Sequence, residues 1–484
     1  MTELGRKQLL IGGVWRDASN GATQPVLNPA TEATIAEVAA ATPDDVDAAV
    51  RAARTACSGA WGQIAARERG RLLWRLGEVL TDRIDEIARL ETLHNGKPIT
   101  ESRHVEIPMA IECLQYFAGW ADKIHGETIP VKGGQFVYTR REPLGVVAVI
   151  VPWNFPLLLT MWKVAPALAA GNTVVIKPAS QTPLTALALG ELAAVAGLPP
   201  GVINVVTGSG ASAGQALVEH PGVNKVAFTG DSATGRGIMR SAAATVKPVS
   251  LELGGKSPNI VFADADLDAA VRGATIGIFY GKGEVCAAGS RLLVERSIKD
   301  AFMSRLIERT KKMVAGDPLD PKTRLGPLSS RGQLERVLGY VEGAKREGAT
   351  LVAGGSRTDI GTGKGFFMQP TVFDAVQPDM TIAREEVFGP VLAVMDFDDV
   401  EQAIARANDS VYGLAAGVWT RDLARAHHVA SRLEAGTVWV NTYNVYDTAA
   451  PFGGYKQSGF GREMGMHALE SYTQVKTVWI ELRS

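Results

Sequence analysis

At 484 residues the chain exceeds what one hydrophobic core supports, and its length predicts about three domains. Fifty basic against 51 acidic side chains leave a formal charge of −1, which argues against nucleic acid or an anionic membrane as partner. Hydrophobic residues at 46% and charged residues at 21% are the balance of an ordinary globular protein. Three cysteines (Cys57, Cys113, Cys286) cannot all pair within one chain, and read as the reduced thiols of a cytoplasmic protein.

Residues 1–13 hold no apolar segment of the kind a signal peptide needs. Thr42-Pro43-Asp44-Asp45 predicts a helix start, with a hydroxyl cap, proline at the first helical position and acids in the first turn. Val46, Ala49, Val50 and Ala53 then share one face. One long amphipathic helix is expected over residues 67–93, with Leu72, Leu73, Leu76, Val79 and Leu80 on its apolar side, ending near Gly96-Lys97-Pro98. Residues 135–140, after a Gly133-Gly134 turn, read as extended.

From there the pattern changes. Residues 145–151, 173–176 and 202–206 are short β-branched runs, each followed by proline or glycine and then a helix-like Ala/Leu segment. The apolar stretch 156–176 is interrupted by Lys163, Pro166 and Asn172, and makes a poor membrane span. A second alternation has strands expected at 259–262, 291–294, 391–395 and 437–440. Alternating buried strands and helices predict two α/β domains on parallel sheets covered on both faces, meeting near residues 252–286, where clefts often lie. Residues 473–482 form a second extended piece, and an exposed edge there invites another chain.

Cys286 lies in Gly-Lys-Gly-Glu-Val-Cys-Ala-Ala-Gly-Ser-Arg, a soft nucleophile among small residues that leave a substrate room to approach. Glu252 opens Glu-Leu-Gly-Gly-Lys-Ser-Pro, where a glycine turn can aim a carboxylate into a cleft. A thiol nucleophile with a separate carboxylate base suits a reaction that forms a thioester and then hydrolyses it. No metal is called for. Gly208-Ser-Gly210-Ala-Ser-Ala213 after a strand, with Asp231 about 20 residues on, fits a dinucleotide fingerprint.

Eight motifs in order carry a resemblance. They are Asn28-Pro29-Ala30-Thr31, Pro152-Trp153-Asn154-Phe155-Pro156, Lys177-Pro178-Ala179-Ser180, Phe228-Thr229-Gly230, the Glu252 and Cys286 runs, Glu385-Glu386-Val387-Phe388-Gly389-Pro390 and Pro451-Phe452-Gly453-Gly454-Tyr455-Lys456-Gln457-Ser458-Gly459. With them the sequence resembles the aldehyde dehydrogenase superfamily, in its NAD(P)-dependent, non-acylating form, over nearly the whole chain. The resemblance implies a Rossmann-like cofactor domain (1–124 and 144–253), an α/β catalytic domain (254–460) and a small β oligomerisation arm (125–143 and 470–484) that builds a homodimer or homotetramer.

It also implies that Cys286 attacks an aldehyde, that the Asn154 amide and Cys286 N–H hold the oxyanion, and that hydride passes to a nicotinamide before water activated by Glu252 frees the acid. Lys163 and Glu463 match family positions that relay protons. Ile150, Val151 and Trp153 should line the nicotinamide pocket, with Glu386 and Phe388 on its ribose. Lys177, Ala179, Ser180 and Gly210 fall near the adenosine, and Gly230, Asp231 and Leu253 near the pyrophosphate and ring. The fingerprint glycines are therefore not the phosphate cradle. Phe155, Trp162, Tyr280, Tyr446 and Phe452 match the aldehyde tunnel.

Three positions depart from the family pattern. Ser180 stands where NAD-preferring members have Glu, so NADP is expected to be accepted beside NAD, with Lys177 to attract its 2′-phosphate. Asp231 stands for a common serine; as a helix cap it either turns away from the cofactor or weakens its binding. Glu284 replaces a common glutamine beside Cys286. For substrate, the absence of Arg and Lys from residues 444–451 argues against a carboxylated semialdehyde, while Asp447 keeps a cationic aminoaldehyde or betaine aldehyde open as alternative. A non-catalytic cofactor-binding relative and a CoA-acylating enzyme are the competing readings.

Overall fold

The computed structural model describes residues 4–482. Its first sheet has eight strands. The chain enters its centre at Val146–Ile150, moves outward through Thr173–Lys177 and Ile203–Val205, then returns to the other flank with Lys225–Thr229 and Val249–Glu252. These strands are parallel. Antiparallel edges come from Leu9–Ile11 with Val14–Arg16 on one side and Gly459–Phe460 on the other. The reversal between Val146–Ile150 and Lys225–Thr229 opens a crevice at their carboxyl ends, the place where such sheets bind ligands.

The stretch that made a poor membrane span is the helix Pro156–Ala169, buried at every position, followed by the central strand Thr173–Lys177. No helix among the described residues is long and apolar enough to cross a membrane. Asn172, which breaks the apolar run, is a fully buried hub. Its side chain accepts from the Gly145 N–H at 2.9 Å and donates to the Ala167 and Tyr472 carbonyls at 3.0 and 2.9 Å, while its own carbonyl accepts from the Trp61 indole at 2.9 Å. A buried amide with both ends satisfied fixes the helix end against the next strand.

A second, seven-stranded sheet runs in the order Thr350–Ala353, Thr371–Asp374, Val391–Phe397, Arg291–Glu295, Pro258–Val261, Ala415–Trp419 and Thr437–Val440, parallel except for its first pair. Arg291 opens the central strand and is buried. Its guanidinium donates to the carbonyls of Lys256, Arg406 and Ala407 at 2.7–2.9 Å, capping the C-terminal end of the helix Val400–Asn408 and tying it to the segment after Glu252. Arg291→Met leaves these carbonyls without a donor, and is expected to lower the stability of this sheet by at least about 3 kcal/mol, read as an earlier urea midpoint.

Thr473–Glu481 and Gln135–Pro143 pair antiparallel along their full lengths, with Thr128–Ile129 beyond. Thr473–Glu481 is therefore satisfied on one side within the chain, and its other side is the sheet edge. The helix predicted at Thr42 forms as Pro43–Ser58, with a capping box between Thr42 and Asp45. The single helix expected over 67–93 is instead two, Ala66–Asp82 and Ile84–Asn95, broken at Arg83. Apolar spacing continues through the break, so periodicity could not reveal it. Gly96 ends the second helix in the left-handed region.

Candidate active site

Cys286 is presented by a sharp chain reversal. After the helix Leu267–Phe279, Gly281, Lys282 and Gly283 all take positive φ, at 55°, 65° and 72°. Lys282 is held in this strained conformation by bonds from its buried Nζ to the Asn95 carbonyl and Oδ1, both 2.8 Å, and by an ion pair to Glu284 at 2.8 Å. Glu284 in turn accepts from the Ser329 N–H at 2.9 Å, so this unusual acid braces the loop. The anions that act on Cys286 are Glu386 and Glu252.

The glycines after Glu252 explain how the motifs meet. A Cβ at Gly254 would collide with the Glu386 carboxylate, and one at Gly255 with the Cys286 carbonyl. Glu386 accepts from the Gly255 N–H at 3.1 Å. On the other side Ser458 donates to the Gly254 carbonyl at 2.7 Å and Leu253 N–H to the Ser458 carbonyl at 2.9 Å, cinching the 451–460 segment onto Glu252.

Two cavities meet at the thiol. The first, of about 520 Å³, is the crevice of the first sheet. Ile150, Val151, Trp153 and Asn154 line it at one end with Glu386 and Phe388. Lys177, Ala179, Ser180 and Gly210 line the other, with Gly230, Asp231 and Leu253 along it. All the residues expected at the cofactor thus lie in one cleft. The second cavity, of about 140 Å³, is walled by Phe155, Trp162, Tyr280, Tyr446 and Phe452, the residues expected at the aldehyde. Cys286 lines both.

Burial, then the charges of Glu386 and Glu252, push the Cys286 thiol up to about 12, against the N–H groups of Ala287 and of Cys286 itself. Asn154 donates from Nδ2 to the Glu284 carbonyl at 2.9 Å. Its own carbonyl is gripped by Lys97 Nζ at 2.8 Å, and the neighbouring Trp153 carbonyl by Asn95 Nδ2 at 2.6 Å. The Glu252 side chain is buried against Gly453 and lines neither cavity in this conformation. Among the described residues neither of its oxygens has a hydrogen-bond partner. Burial and the charge of Glu463 raise its pKa well above the ordinary carboxylate range, opposed by Lys163 and Arg462; the Gly454 N–H is a minor influence that closes no bond. Lys163 donates to Glu463 at 2.9 Å and to the Thr229 hydroxyl at 2.6 Å, so the two residues expected to relay protons are in contact, and both charges act on Glu252.

Burial lowers Lys177 to about 8, and no anion among the described residues pairs with it. Ser180 Oγ donates to the Gly208 carbonyl at 3.0 Å. Asp231 caps the helix Ser232–Ala243, accepting from the Thr234 N–H at 2.9 Å and its hydroxyl at 2.6 Å, so its charge stays at the cleft wall but is engaged. Asp447 is exposed, accepts from the Ala449 N–H at 2.8 Å and does not line the tunnel, so of the two features that kept a cationic substrate open as an alternative only the aromatic walls are there. Sequence reasoning missed Gln333 and Arg336, which line the cleft and donate to the Phe388 and Glu386 carbonyls at 2.6 and 3.2 Å. They lie on a helix without a motif. It also missed Lys97 and Glu106, whose signal was a lysine at a helix stop followed by an acid on an apolar segment.

The family model for the aldehyde dehydrogenase family matches residues 15–478. The human mitochondrial aldehyde dehydrogenase is 49% identical over 478 residues, covering 98% of this chain and 92% of that protein. An aldehyde dehydrogenase of Bacillus cereus, solved as an NAD+ complex, superimposes with a TM-score of 0.97 at 48% identity, covering 99% of this chain and 97% of that one. The indole-3-acetaldehyde dehydrogenase AldA of P. syringae, solved with NAD+ and IAA, does so at 46% identity and the same TM-score, covering 98% and 97%. Sequence and structure agree that the chain belongs to the aldehyde dehydrogenase family.

Proposed function

We propose that the protein oxidises an aldehyde to its carboxylic acid through a covalent Cys286 intermediate, with NAD or NADP as hydride acceptor. The observation that carries this reading is the position of Cys286, where the crevice of the first sheet and an aromatic tunnel meet. Sγ passes its proton to solvent water and, as the thiolate, attacks the aldehyde carbon. The oxyanion that develops lies against the Cys286 N–H and Asn154 Nδ2, which gives one hydrogen to Glu284 and keeps another. Such a donor contributes about 2.7–4 kcal/mol to the transition state. A nicotinamide held at the Trp153 and Phe388 end of the cleft would supply the hydride acceptor that the thiohemiacetal needs.

Glu252 then removes a proton from the water that attacks the thioester. A buried carboxylate with a raised proton affinity and unpartnered oxygens is suited to that work, and Lys163 with Glu463 carries the proton onward. The cleft fits a dinucleotide. Lys177 is an amine without an anion at its adenosine end, the Asp231-capped helix faces its middle, and Trp153 packs edge-on to Phe388 at 5.3 Å at the nicotinamide end. With serine at 180, no carboxylate there repels a 2′-phosphate, which supports NADP acceptance.

The domain boundaries expected from the sequence, a cytoplasmic location and a homodimer or homotetramer complete the proposal. Support for the oligomer comes from the arm, where Phe136, Val475, Trp479 and Ile480 are exposed on a sheet with an open edge. The test is initial rates on short aliphatic, aromatic, cationic and carboxylated aldehydes with NAD and with NADP, following the reduced nicotinamide without CoA. Oxidation is expected with NADP within about tenfold of NAD. A strong preference for NAD defeats the Ser180 reading; a requirement for CoA, or no turnover of any aldehyde, defeats the function.

A further inference from the structure

The aromatic tunnel carries polar groups whose hydrogen-bonding states are already set. The π-helical turn Ser102–Glu106 brings Glu106, 1% exposed, into the tunnel wall. One of its oxygens accepts from Tyr280 Oη at 3.1 Å, and the other is held by Lys97, which can only donate. The Tyr280 proton is therefore committed to Glu106. What its oxygen has left for a tunnel occupant is lone pairs.

Two other tunnel residues are in the opposite condition. Trp162 Nε1 and Asn444 Nδ2 are buried N–H donors without an acceptor among the described residues. Leaving such a donor unmade costs about 1–3 kcal/mol, so each asks for an acceptor. One wall thus offers an acceptor, and two residues of the same cavity carry idle donors.

The functional group that answers both is narrow. An ammonium donates to Tyr280 but accepts nothing, and Lys97 already lies 4.5 Å over the Phe155 ring, a cation against the tunnel wall. A ketone or carboxylate accepts but cannot bond the Tyr280 lone pairs. A hydroxyl does both. We propose that the tunnel selects aldehydes that also carry a hydroxyl group, with Tyr280, its proton fixed by Glu106, as the specificity-determining acceptor. At about 140 Å³ the cavity is well below the roughly 300–1,000 Å³ of pockets for drug-sized ligands, which limits the substrate to a short chain or a single ring. This assignment rests on the proposed aldehyde oxidation.

The test compares kcat/KM for isosteric aldehydes with the full-length protein: 3-hydroxypropanal, butanal and 3-aminopropanal, then 4-hydroxyphenylacetaldehyde and phenylacetaldehyde. The hydroxylated member of each set is expected to lead by about tenfold, the value of one well-made hydrogen bond to a neutral group. In Tyr280→Phe that ratio should fall towards one, with the ratio rather than the absolute rate as readout and thermal melting to report the fold. A parent ratio at or below one overturns the proposal without need of the variant, and so does a Tyr280→Phe protein that keeps the preference. Faster turnover of 3-aminopropanal than of 3-hydroxypropanal overturns the choice of a hydroxyl. Should butanal and phenylacetaldehyde also fail to react, the underlying oxidation is wrong and the specificity falls with it.

Discussion

Cys286→Ala is expected to lower kcat for aldehyde oxidation by at least about 10⁴-fold, because no other described thiol borders either cavity. Cofactor binding should survive, since the cleft is lined by many residues and the thiol contributes only one edge of it. Oxidation followed by reduced-nicotinamide absorbance, with cofactor binding followed by tryptophan fluorescence, separates the two. The environment of the sulfur adds a pH signature in the parent protein. Burial and two carboxylates hold the thiol near 12 without cofactor, so the thiolate fraction grows steadily across the accessible range. Alkylation by iodoacetamide should accelerate by about tenfold per pH unit between about pH 7 and 10, with no plateau. A plateau near pH 8 would mean that neither burial nor the anionic neighbours hold the thiol up.

Glu252→Gln should separate the two halves of the reaction. Loss of a positioned general base slows proton transfer by about 10²–10⁴-fold, here in the hydrolytic half. Rapid mixing is expected to show one equivalent of reduced nicotinamide per site, then slow turnover. The burst matters most: a variant slow from the first turnover would place Glu252 in thiol activation instead. Stability should not suffer. The carboxylate makes no hydrogen bond among the described residues, and both burial and Glu463 oppose its ionised form. The glutamine variant should therefore melt at the parent temperature or above it.

Much of this was legible before any coordinates. The strand expected at 437–440 forms as Thr437–Val440, marked by its β-branched run, and the cap at Thr42 forms with its reciprocal partner Asp45, a signature written in four consecutive residues. The strands at Lys225–Thr229 and Ala415–Trp419 were not recognised as strands, for each is short and flanked by residues that read as motif or turn. The site residues drawn from motifs all line one of the two cavities except Glu252, which is buried close enough for its charge to act on the thiol. What stayed hidden is the bracing behind them. Asn95 and Lys97 read only as the end of a helix, yet they hold the Trp153 and Asn154 carbonyls from 58 and 57 positions away in sequence, respectively. Pairings between distant segments leave no periodic trace. The same applies to Asn172, three of whose partners (Trp61, Gly145 and Tyr472) lie 111, 27 and 300 residues away.

Among the described residues only Cys286 borders both the cleft and the tunnel, and a boundary one side chain wide has a kinetic consequence. Two reactants arriving through separate doorways do not queue behind one another. The order in which acid and spent carrier depart is then governed by how tightly each is held, and not by which blocks the exit.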